Sequence, residues 1–419
     1  MDSIILEDNP HWLDNTCYDH FTSREILPKA LKYLGAKEVL AIIGARRVGK
    51  STLIKLLIAE LLKTAPAKNI FFINLEKPSF IPYKNSPDYL QNIFDSYLKL
   101  ADPNMSQTIY FFIDEIQIFE NWEVFVKSKY ENSNIKFIIT GSNSSLLTSN
   151  YATLLTGRVL KLRLYSFSFR EFLDYKNIGY STRIQIAANK ISIQRALDEY
   201  LRWGGYYGVF SKDDESLKKE TLKNIAEDII LKDIAPRYKI KNSAEIRDLF
   251  YYVVSNPATL LSYASLAAKI GLDAKSVKGY INYFEDNFLV CLLPSFHTKI
   301  TEQIKSAKKI YLTDNGFLNL GFGATDGLGK QLENLVFNVL AQKDDNLCYL
   351  RDVQEVDFCT EGTLYQVSYD IKDEKTKKRE LAAFGYFKKQ DDKCRLVTYD
   401  TDEQSGEVEI VSAAKFLLE

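Results

Sequence analysis

Residues 44–52 read GARRVGKST, and they directly follow a continuous apolar run at 39–43. Four residues separate the two glycines, and lysine and serine come next, which completes the G-x-x-x-x-G-K-S/T pattern. Glycines let the backbone wrap around phosphate groups, and the N–H groups at the start of the next helix face the anion. The stretch therefore predicts a buried strand, a phosphate-binding loop and a helix over residues 52–62.

Each residue type in this loop suits a nucleoside triphosphate bound with magnesium. We expect the Lys50 ammonium to reach the β- and γ-phosphates and the Ser51 hydroxyl to bind Mg²⁺. ATP and Mg²⁺ are therefore the predicted ligands. The residues predicted to hold the nucleotide are Gly44, Ala45, Arg46, Arg47, Val48, Gly49, Lys50, Ser51 and Thr52.

Two adjacent acids, Asp114 and Glu115, end the apolar stretch at 110–113. In a nucleotide-hydrolysing site, one carboxylate holds the magnesium shell and a second polarises the attacking water. Adjacent acids at a strand end are common by chance, but here they follow a phosphate-binding loop in the expected chain order. We predict that Asp114 is a metal ligand and that Glu115 is the general base.

Two further segments offer polar side chains to the same chemistry. The apolar stretch 135–139 ends in TGSN, where Ser142 and Asn143 are candidates to contact the γ-phosphate or the attacking water; the alternative is a simple turn. The stretch LLTGR places Arg158 just before another strand. We predict that Arg158 reaches the γ-phosphate of a neighbouring subunit in a homo-oligomer, and the alternative is an exposed or structural arginine.

Short apolar stretches alternate with helical patterns in the first part of the chain, at 39–43, 70–75, 110–113, 135–139 and 159–164. That alternation predicts an α/β fold, a P-loop parallel sheet covered on both faces by helices. Residues 192–252 instead have apolar positions three and four apart, which indicates helices. We place a change of domain near 175–190, where the strand pattern stops.

The overall composition excludes several classes of protein. Lys and Arg total 54 against 55 Asp and Glu, so the net charge favours neither a nucleic-acid nor a membrane partner. The five cysteines have no metal-ligand spacing, which predicts reduced thiols rather than zinc. The first residues lack the basic start and apolar core of a signal peptide, and no apolar run spans a membrane. We expect a cytoplasmic protein.

Several motifs of the chain resemble those of the archaeal and bacterial AAA-type, STAND-like ATPases that carry a C-terminal domain of unknown function. These motifs are GARRVGKST, FFIDEIQ, IITGSN, LLTGR, SFSFREFL, DEYLRWGGYYGVF, KKIYLTDNGF and QLENLVFNVL. The resemblance covers most of the chain. It implies a P-loop ATPase core with an N-terminal helical segment (1–180), a helical lid (181–256), a winged helix-turn-helix (257–300) and a degenerate restriction-endonuclease-like module (301–419).

The chain departs from that family pattern at two places. Tyr207 stands where relatives have a proline after GGY, which weakens the case for a nucleotide sensor there. In the C-terminal module Glu333 and Asp357 stand at the metal positions of a nuclease, but the expected acid and lysine on the next strand are Gln366 and Ser368. We therefore expect no cleavage by this module. The alternative is that Lys372, or a lysine of the run 375–378, fills the vacant role.

Residues 263–269 and 274–284 have the spacing of a helix-turn-helix, with Gly271 at the turn and Asp273 as the cap of the second helix. The apolar run 288–293 is then a wing strand. Lys275 and Lys278 on the second helix suit contacts with DNA phosphates. The same fold also serves protein contacts, so two functions stay open. One is an ATP-driven switch or motor on DNA, and the other is a nucleotide-controlled signalling or scaffolding switch that binds proteins.

Overall fold

Strand β1 (Val39–Ile43) is buried along its whole length, as its apolar side chains require of a strand covered on both faces. It belongs to a five-stranded parallel sheet with β2 (Ile70–Asn74), β3 (Ile109–Asp114), β4 (Ile135–Gly141) and β5 (Val159–Arg163), in the order β2-β3-β4-β1-β5. The predicted α/β fold with a P-loop sheet is confirmed. The accompanying helices are α1 (Asp2–Asp8), α2 (Leu27–Leu34), α3 (Lys50–Leu61), α4 (Tyr89–Ala101) and α5 (Trp122–Asn132).

The computed structural model describes residues 1–86, 88–132, 134–144, 155, 157–321, 327–360 and 362–419. Thr156 of the LLTGR stretch lies outside the described residues. The chain divides into two units, Met1–Tyr165 and Ser166–Glu419. The division into four domains stays a prediction. None of the helices in the described ranges combines the length and the apolar character that crossing a membrane requires.

Three phenylalanines on neighbouring strands hold the middle of the sheet together. Phe71, Phe111 and Phe137 lie on β2, β3 and β4, with ring centroids 4.5 and 5.6 Å apart between neighbours. Phe94 of α4 and Phe125 of α5 pack on the same row. Large buried aromatic surfaces stabilise such contacts. They fix the register of three strands whose carboxyl ends carry the candidate site.

The segment before the sheet covers its edge strand, β2. The Asn9 side chain donates to the carbonyl of Phe72 and accepts from the N–H of Phe72, as a neighbouring strand would. The fully buried His11 donates from Nε2 to the carbonyl of Ile70, 3.0 Å away. Burial lowers the pKa of His11 to about 4, so the imidazole is neutral in the folded protein.

The second unit begins with helices and ends with an α/β module. Its helices are α6 (Phe169–Tyr175), α7 (Arg183–Ala188), α8 (Lys190–Trp203), α9 (Tyr207–Phe210), α10 (Glu215–Asp228), α11 (Ala235–Arg237), α12 (Ser243–Ser255), α13 (Tyr263–Ile270), α14 (Ala274–Asp286), α15 (Ile300–Lys305), α16 (Leu328–Lys343), α17 (Glu374–Phe387) and α18 (Ala413–Leu418). A π-helical turn, Ile229–Ile234, connects α10 to α11.

Two sheets accompany these helices. A three-stranded antiparallel sheet has the order β6-β8-β7, where β6 is Thr259–Leu260, β7 is Val290–Leu293 and β8 is Lys309–Leu312. A mixed six-stranded sheet has the order β13-β14-β12-β11-β10-β9. Its strands are β9 (Cys348–Arg351), β10 (Glu355–Thr360), β11 (Thr363–Val367), β12 (Lys393–Thr398), β13 (Glu403–Ser405) and β14 (Val408–Ser412).

The predicted helix-turn-helix spacing corresponds to α13 and α14. Gly271 ends α13 with φ 76°, in the left-handed region that favours glycine. Asp273 caps α14, because its carboxylate accepts hydrogen bonds from the N–H groups of Lys275 and Ser276 at 2.9 Å. Both roles were predicted from the sequence, whereas β6, β8 and α15 were not.

Asp314, fully buried, ties together three segments of the second unit. One carboxylate oxygen accepts from the Ser166 hydroxyl at 2.6 Å and from the Gly205 N–H at 2.9 Å, and the other accepts from the Gly316 N–H at 2.8 Å. Burial raises the pKa of Asp314, while these donors oppose that shift. The double glycine therefore has a packing reason: Gly204 lets the backbone lie against the carboxylate, and Gly205 lets it lie against the Phe167 backbone.

Candidate nucleotide-binding and catalytic site

The phosphate-binding loop connects β1 to α3 in a conformation that requires its glycines. Gly49 has φ 101°, a left-handed conformation, immediately before α3. A Cβ on Gly44 would lie 2.3 Å from the carbonyl oxygen of Leu164, so no larger residue fits there. Helix α3 begins at Lys50, two residues before the predicted start at 52. The whole stretch Lys50–Thr52 thus belongs to the helix amino end.

Lys50 is a buried cation at this loop. Its ammonium donates to the carbonyls of Gly44 and Ala45, both at 3.2 Å, and it lies 3.2 Å from a carboxylate oxygen of Glu115. The pairing neutralises two charges that burial would otherwise penalise. It also joins the loop after β1 to the acid after β3, so the structure brings the predicted phosphate and base residues together.

Asp114 and Ser51, the two predicted metal ligands, lie in direct contact. The Ser51 hydroxyl donates to Asp114 Oδ2 at 2.5 Å, and the Thr140 hydroxyl donates to Oδ1. Only 1% of the Asp114 surface is exposed. Burial, with the nearby Glu115 carboxylate, raises the pKa of Asp114 to about 6. A carboxylate and a hydroxyl are hard oxygen donors, so this pair fits Mg²⁺.

Glu115 is held in a strained and well-defined position. Its φ of 56° is left-handed, and its N–H donates to the Thr140 hydroxyl at 2.9 Å. Gln117 donates to the Glu115 carboxylate at 2.5 Å. Burial raises the pKa of Glu115, but the Lys50 ammonium, Gln117 and Arg46 outweigh it and hold the pKa below its ordinary value. The carboxylate is therefore charged at neutral pH, the state needed to accept a proton.

Sequence reasoning named neither Thr140 nor Gln117 as functional, yet both hold the two acids. Thr140 touches Asp114 and Glu115 at once, and Gln117 also donates to Ser142 at 3.2 Å. Ser142 is therefore part of the same hydrogen-bonded group as Glu115. The only sequence signal was position, since Thr140 is the second-last residue of β4, the strand paired with β3, and Gln117 lies two residues after Glu115.

Asn143 is buried near the carboxyl end of β4, and its role stays a prediction. Two arginines make contacts that hold the loop, Arg46 from within it and Arg24 from outside it. Arg46 pairs with Glu76 at 2.7 Å. Arg24 is buried and donates to the carbonyls of Val48, at 3.0 Å, and Tyr165, at 2.9 Å. Arg24 thus fixes the loop from outside, which the sequence did not indicate.

Arg158 lies at the amino ends of the sheet strands, whereas the phosphate loop lies at their carboxyl ends. Its carbonyl accepts from the N–H of Val39, at the amino end of β1, whereas the loop follows the carboxyl end. Its guanidinium pairs with Glu131 at 2.6 Å and lies over the Tyr130 ring, and the side chain is 38% exposed. It therefore does not approach Lys50 within one chain, and only the action in trans remains a prediction.

The acids predicted for the C-terminal module come together around an unexpected lysine. Lys309, on β8, lies 3.4 Å from Glu333 and 3.3 Å from Asp357. Lys372 does not fill this position, because it pairs with Asp370 and its side chain is 77% exposed. In the run 375–378, Lys377 forms an ion pair with Glu403 and not with these acids.

Strand order, loop and paired acids together define a P-loop nucleotide-binding protein of the AAA type. The family model described as "AAA domain" matches residues 36–173, and the model "Domain of unknown function (DUF8612)" matches residues 194–326. The chain belongs to the same family as the uncharacterized protein MJ1544 of Methanocaldococcus jannaschii, with 32% identity over 83% of this chain and 78% of that protein.

The chain is also similar to a second uncharacterized protein and to a solved structure. An uncharacterized protein of Haemophilus influenzae is 28% identical over 83% of this chain and 87% of its own length. Among solved structures, the Walker-type ATPase PABY2304 of Pyrococcus abyssi is 15% identical, with a TM-score of 0.40, over 72% of this chain and 96% of that one. The AAA assignment rests on the family matches and the site rather than on that structural likeness.

Proposed function

We propose that this protein hydrolyses ATP with Mg²⁺ and acts as a nucleotide-driven switch or motor on DNA. The observation that carries the hydrolysis is the contiguous group formed by Lys50, Ser51, Asp114 and Glu115. Lys50 suits a phosphate, Ser51 and Asp114 suit a metal ion, and the fourth residue, Glu115, is a charged carboxylate beside them. A protein that only binds nucleotide has no need of a positioned base.

Each residue has a defined part in the proposed reaction. Lys50 and the loop backbone bind the phosphates, and Ser51 with Asp114 holds the metal ion. Magnesium neutralises charge on the phosphate oxygens when it is bound. The Glu115 carboxylate orients a water molecule and accepts its proton, and Thr140 holds the Glu115 backbone for that purpose. Because Lys50 contacts Glu115 in this structure, phosphate oxygens would compete for its ammonium and leave Glu115 free for water.

The DNA part of the proposal is supported by the α13–α14 pair. Lys275 and Lys278 are exposed in the first half of α14. The segment between β7 and β8 adds Lys299, Lys305 and Lys308 against Glu302. Such lysines suit phosphate contacts rather than base recognition. Two contacts from α14 would give a slope of about −2 in log affinity against log salt concentration.

A second function is favoured by a separate observation, three exposed isoleucines at the beginning of the helical region. Ile184 and Ile186 on α7 and Ile191 on α8 are all solvent-exposed, Ile184 by 82%. Exposed isoleucines in one stretch of chain are typical of protein contacts. Nucleotide binding would then control assembly with a protein partner, including further copies of this chain.

The two proposals are separated by ATP turnover measured with single-stranded, duplex and branched DNA. Stimulation by DNA that is lost at high salt and in a Lys275→Ala/Lys278→Ala variant is expected for the first. A Lys372→Ala variant, which removes an exposed lysine elsewhere, is the matched control. Turnover indifferent to DNA, with assembly that depends on nucleotide and on Ile184, would favour the second.

A further inference from the structure

A single ammonium group lies among three carboxylates in the C-terminal half of the chain. Lys309 Nζ is 2.8 Å from Glu355 Oε1, 3.3 Å from Asp357 Oδ1 and 3.4 Å from Glu333 Oε1. The lysine comes from β8, two acids come from β10, and Glu333 comes from α16. The lysine side chain is only 5% exposed. A cation so deeply placed requires the opposite charges that surround it.

Both of the more buried acids also accept a hydrogen bond from a neighbouring neutral group. Asp357 Oδ2 accepts from the N–H of Val367 at 3.0 Å, and Glu333 Oε1 accepts from the Tyr311 hydroxyl at 2.7 Å. Gln366 accepts from the N–H of Asp357 and donates to Glu380. The protein's own groups therefore hold both Asp357 oxygens and Glu333 Oε1.

We propose that the Lys309 ammonium takes the place that a divalent cation would hold between Glu333 and Asp357, so that this module holds a permanent ion-pair cluster instead of a metal-dependent catalytic centre. An ion bound by Glu333 Oε1 and Asp357 Oδ1 would use the same two oxygens that contact the ammonium. Divalent cations need oxygen ligands at about 2.0–2.6 Å. An ion at that distance from these oxygens would lie beside the Lys309 ammonium, and the two positive charges would repel each other. The residues present do not fit a metal ion.

The neutral Gln366 supports the same conclusion. A magnesium or manganese site for phosphodiester cleavage relies on several anionic ligands, and an amide contributes no charge. A catalytic lysine works beside a metal ion whose ligands are available to that ion. Here the Lys309 ammonium itself pairs with the carboxylates that would be the metal ligands. Its only charged partners among the described residues are Glu333, Glu355 and Asp357.

The test is a metal-dependent shift in thermal unfolding of the full chain, without nucleotide. Lys309→Met removes the charge and keeps most of the side-chain length. We expect its unfolding midpoint to fall by roughly 5–10 °C, because three carboxylates lose their counter-charge. We further expect Mn²⁺ or Ca²⁺ to raise the midpoint of this variant and to leave the wild type unchanged. Lys372→Met, at an exposed ion pair, is the matched control and should behave as the wild type does.

A second variant keeps the proposal testable if Lys309→Met does not fold. Lys309→Met/Asp357→Asn removes one negative charge as well, so it should regain stability and respond less to Mn²⁺. An equal metal response in the wild type and in Lys309→Met would overturn the proposal. Plasmid cleavage by the wild type in Mg²⁺ or Mn²⁺ that is lost in Asp357→Ala would overturn it too.

Discussion

The Thr140 hydroxyl donates a hydrogen bond to the buried carboxylate of Asp114. The same oxygen accepts the N–H of Glu115, so one small side chain on β4 positions both acids at the end of β3. A hydroxyl can serve as donor and acceptor together, which no apolar residue of the same size can do. The geometry of the metal ligand and of the base therefore depends on the neighbouring strand.

Thr140→Val should reduce turnover about 10- to 100-fold and leave ATP affinity nearly unchanged. A lost hydrogen bond to a buried charged group costs about 1.5–3 kcal/mol, and the shape of the side chain is kept. Steady-state kcat and equilibrium binding of a fluorescent ATP analogue measure the two quantities. Thr140→Ser retains the hydroxyl and should recover most of the activity, while wild-type turnover in Thr140→Val would contradict the assignment.

Lys50→Ala and Glu115→Gln should fail in different ways. Loss of Lys50 removes a phosphate contact, so ATP affinity should fall at least about 10-fold. Glu115→Gln should bind ATP but lower kcat by about 10²–10⁴, because an amide cannot accept the proton. Lys63→Ala, at an exposed lysine just after α3, controls for loss of charge. Full activity in Glu115→Gln would remove Glu115 as the base.

Arg158 should act only between subunits, because it lies at the amino ends of the strands and the phosphate loop lies at their carboxyl ends. Neither Arg158→Ala nor Lys50→Ala should turn over ATP alone, and mixing the two should restore part of the activity. Lys161→Ala, at an exposed position on β5, should remain active. A wild type that is active as a strict monomer, with no rescue on mixing, would rule out this role.

Gly204→Ala should destabilise the second unit by on the order of 3 kcal/mol. Gly204 has φ 72° and ψ −164°, a conformation close to unique to glycine, and a Cβ there would lie 1.8 Å from Asp314 Oδ1. The denaturant midpoint of unfolding measures the effect. Gly208→Ala is the control, since its Cβ would meet nothing closer than 3.9 Å and a helical alanine should be neutral or stabilising.

His11 should make stability depend on pH between about 6.5 and 4. Burial lowers its pKa in the folded chain, so the unfolded chain binds a proton in this window and the folded chain does not. The stabilisation is complete above pH 6.5 and decreases as the pH falls to 4, by about 3 kcal/mol in total. Denaturant titrations should show this loss in the wild type and in His20→Gln, at an exposed histidine, but not in His11→Gln. Parallel curves for wild type and His11→Gln would refute it.

Local pattern was sufficient for the phosphate loop, for the strands before it and before Asp114, and for the caps of α13 and α14. These features depend on neighbours within about four residues: a left-handed glycine, an aspartate cap, or an apolar run that must be buried. The roles predicted for Lys50 and Glu115 followed from the known order of such motifs along a chain, whereas their ion pair was found only in the folded structure.

The partners of the acids depend instead on packing between distant segments. Thr140 reaches Asp114 across 26 residues, and Lys309 reaches Asp357 across 48, in each case because two strands or sheets meet. No local spacing indicates such a meeting, since the register of the sheet and the placement of β8 are set by burial of many side chains at once. The roles of Asp114 and Glu115 were predicted from the sequence alone. The residues that position them, and the lysine that pairs with the C-terminal acids, were identified only in the folded structure.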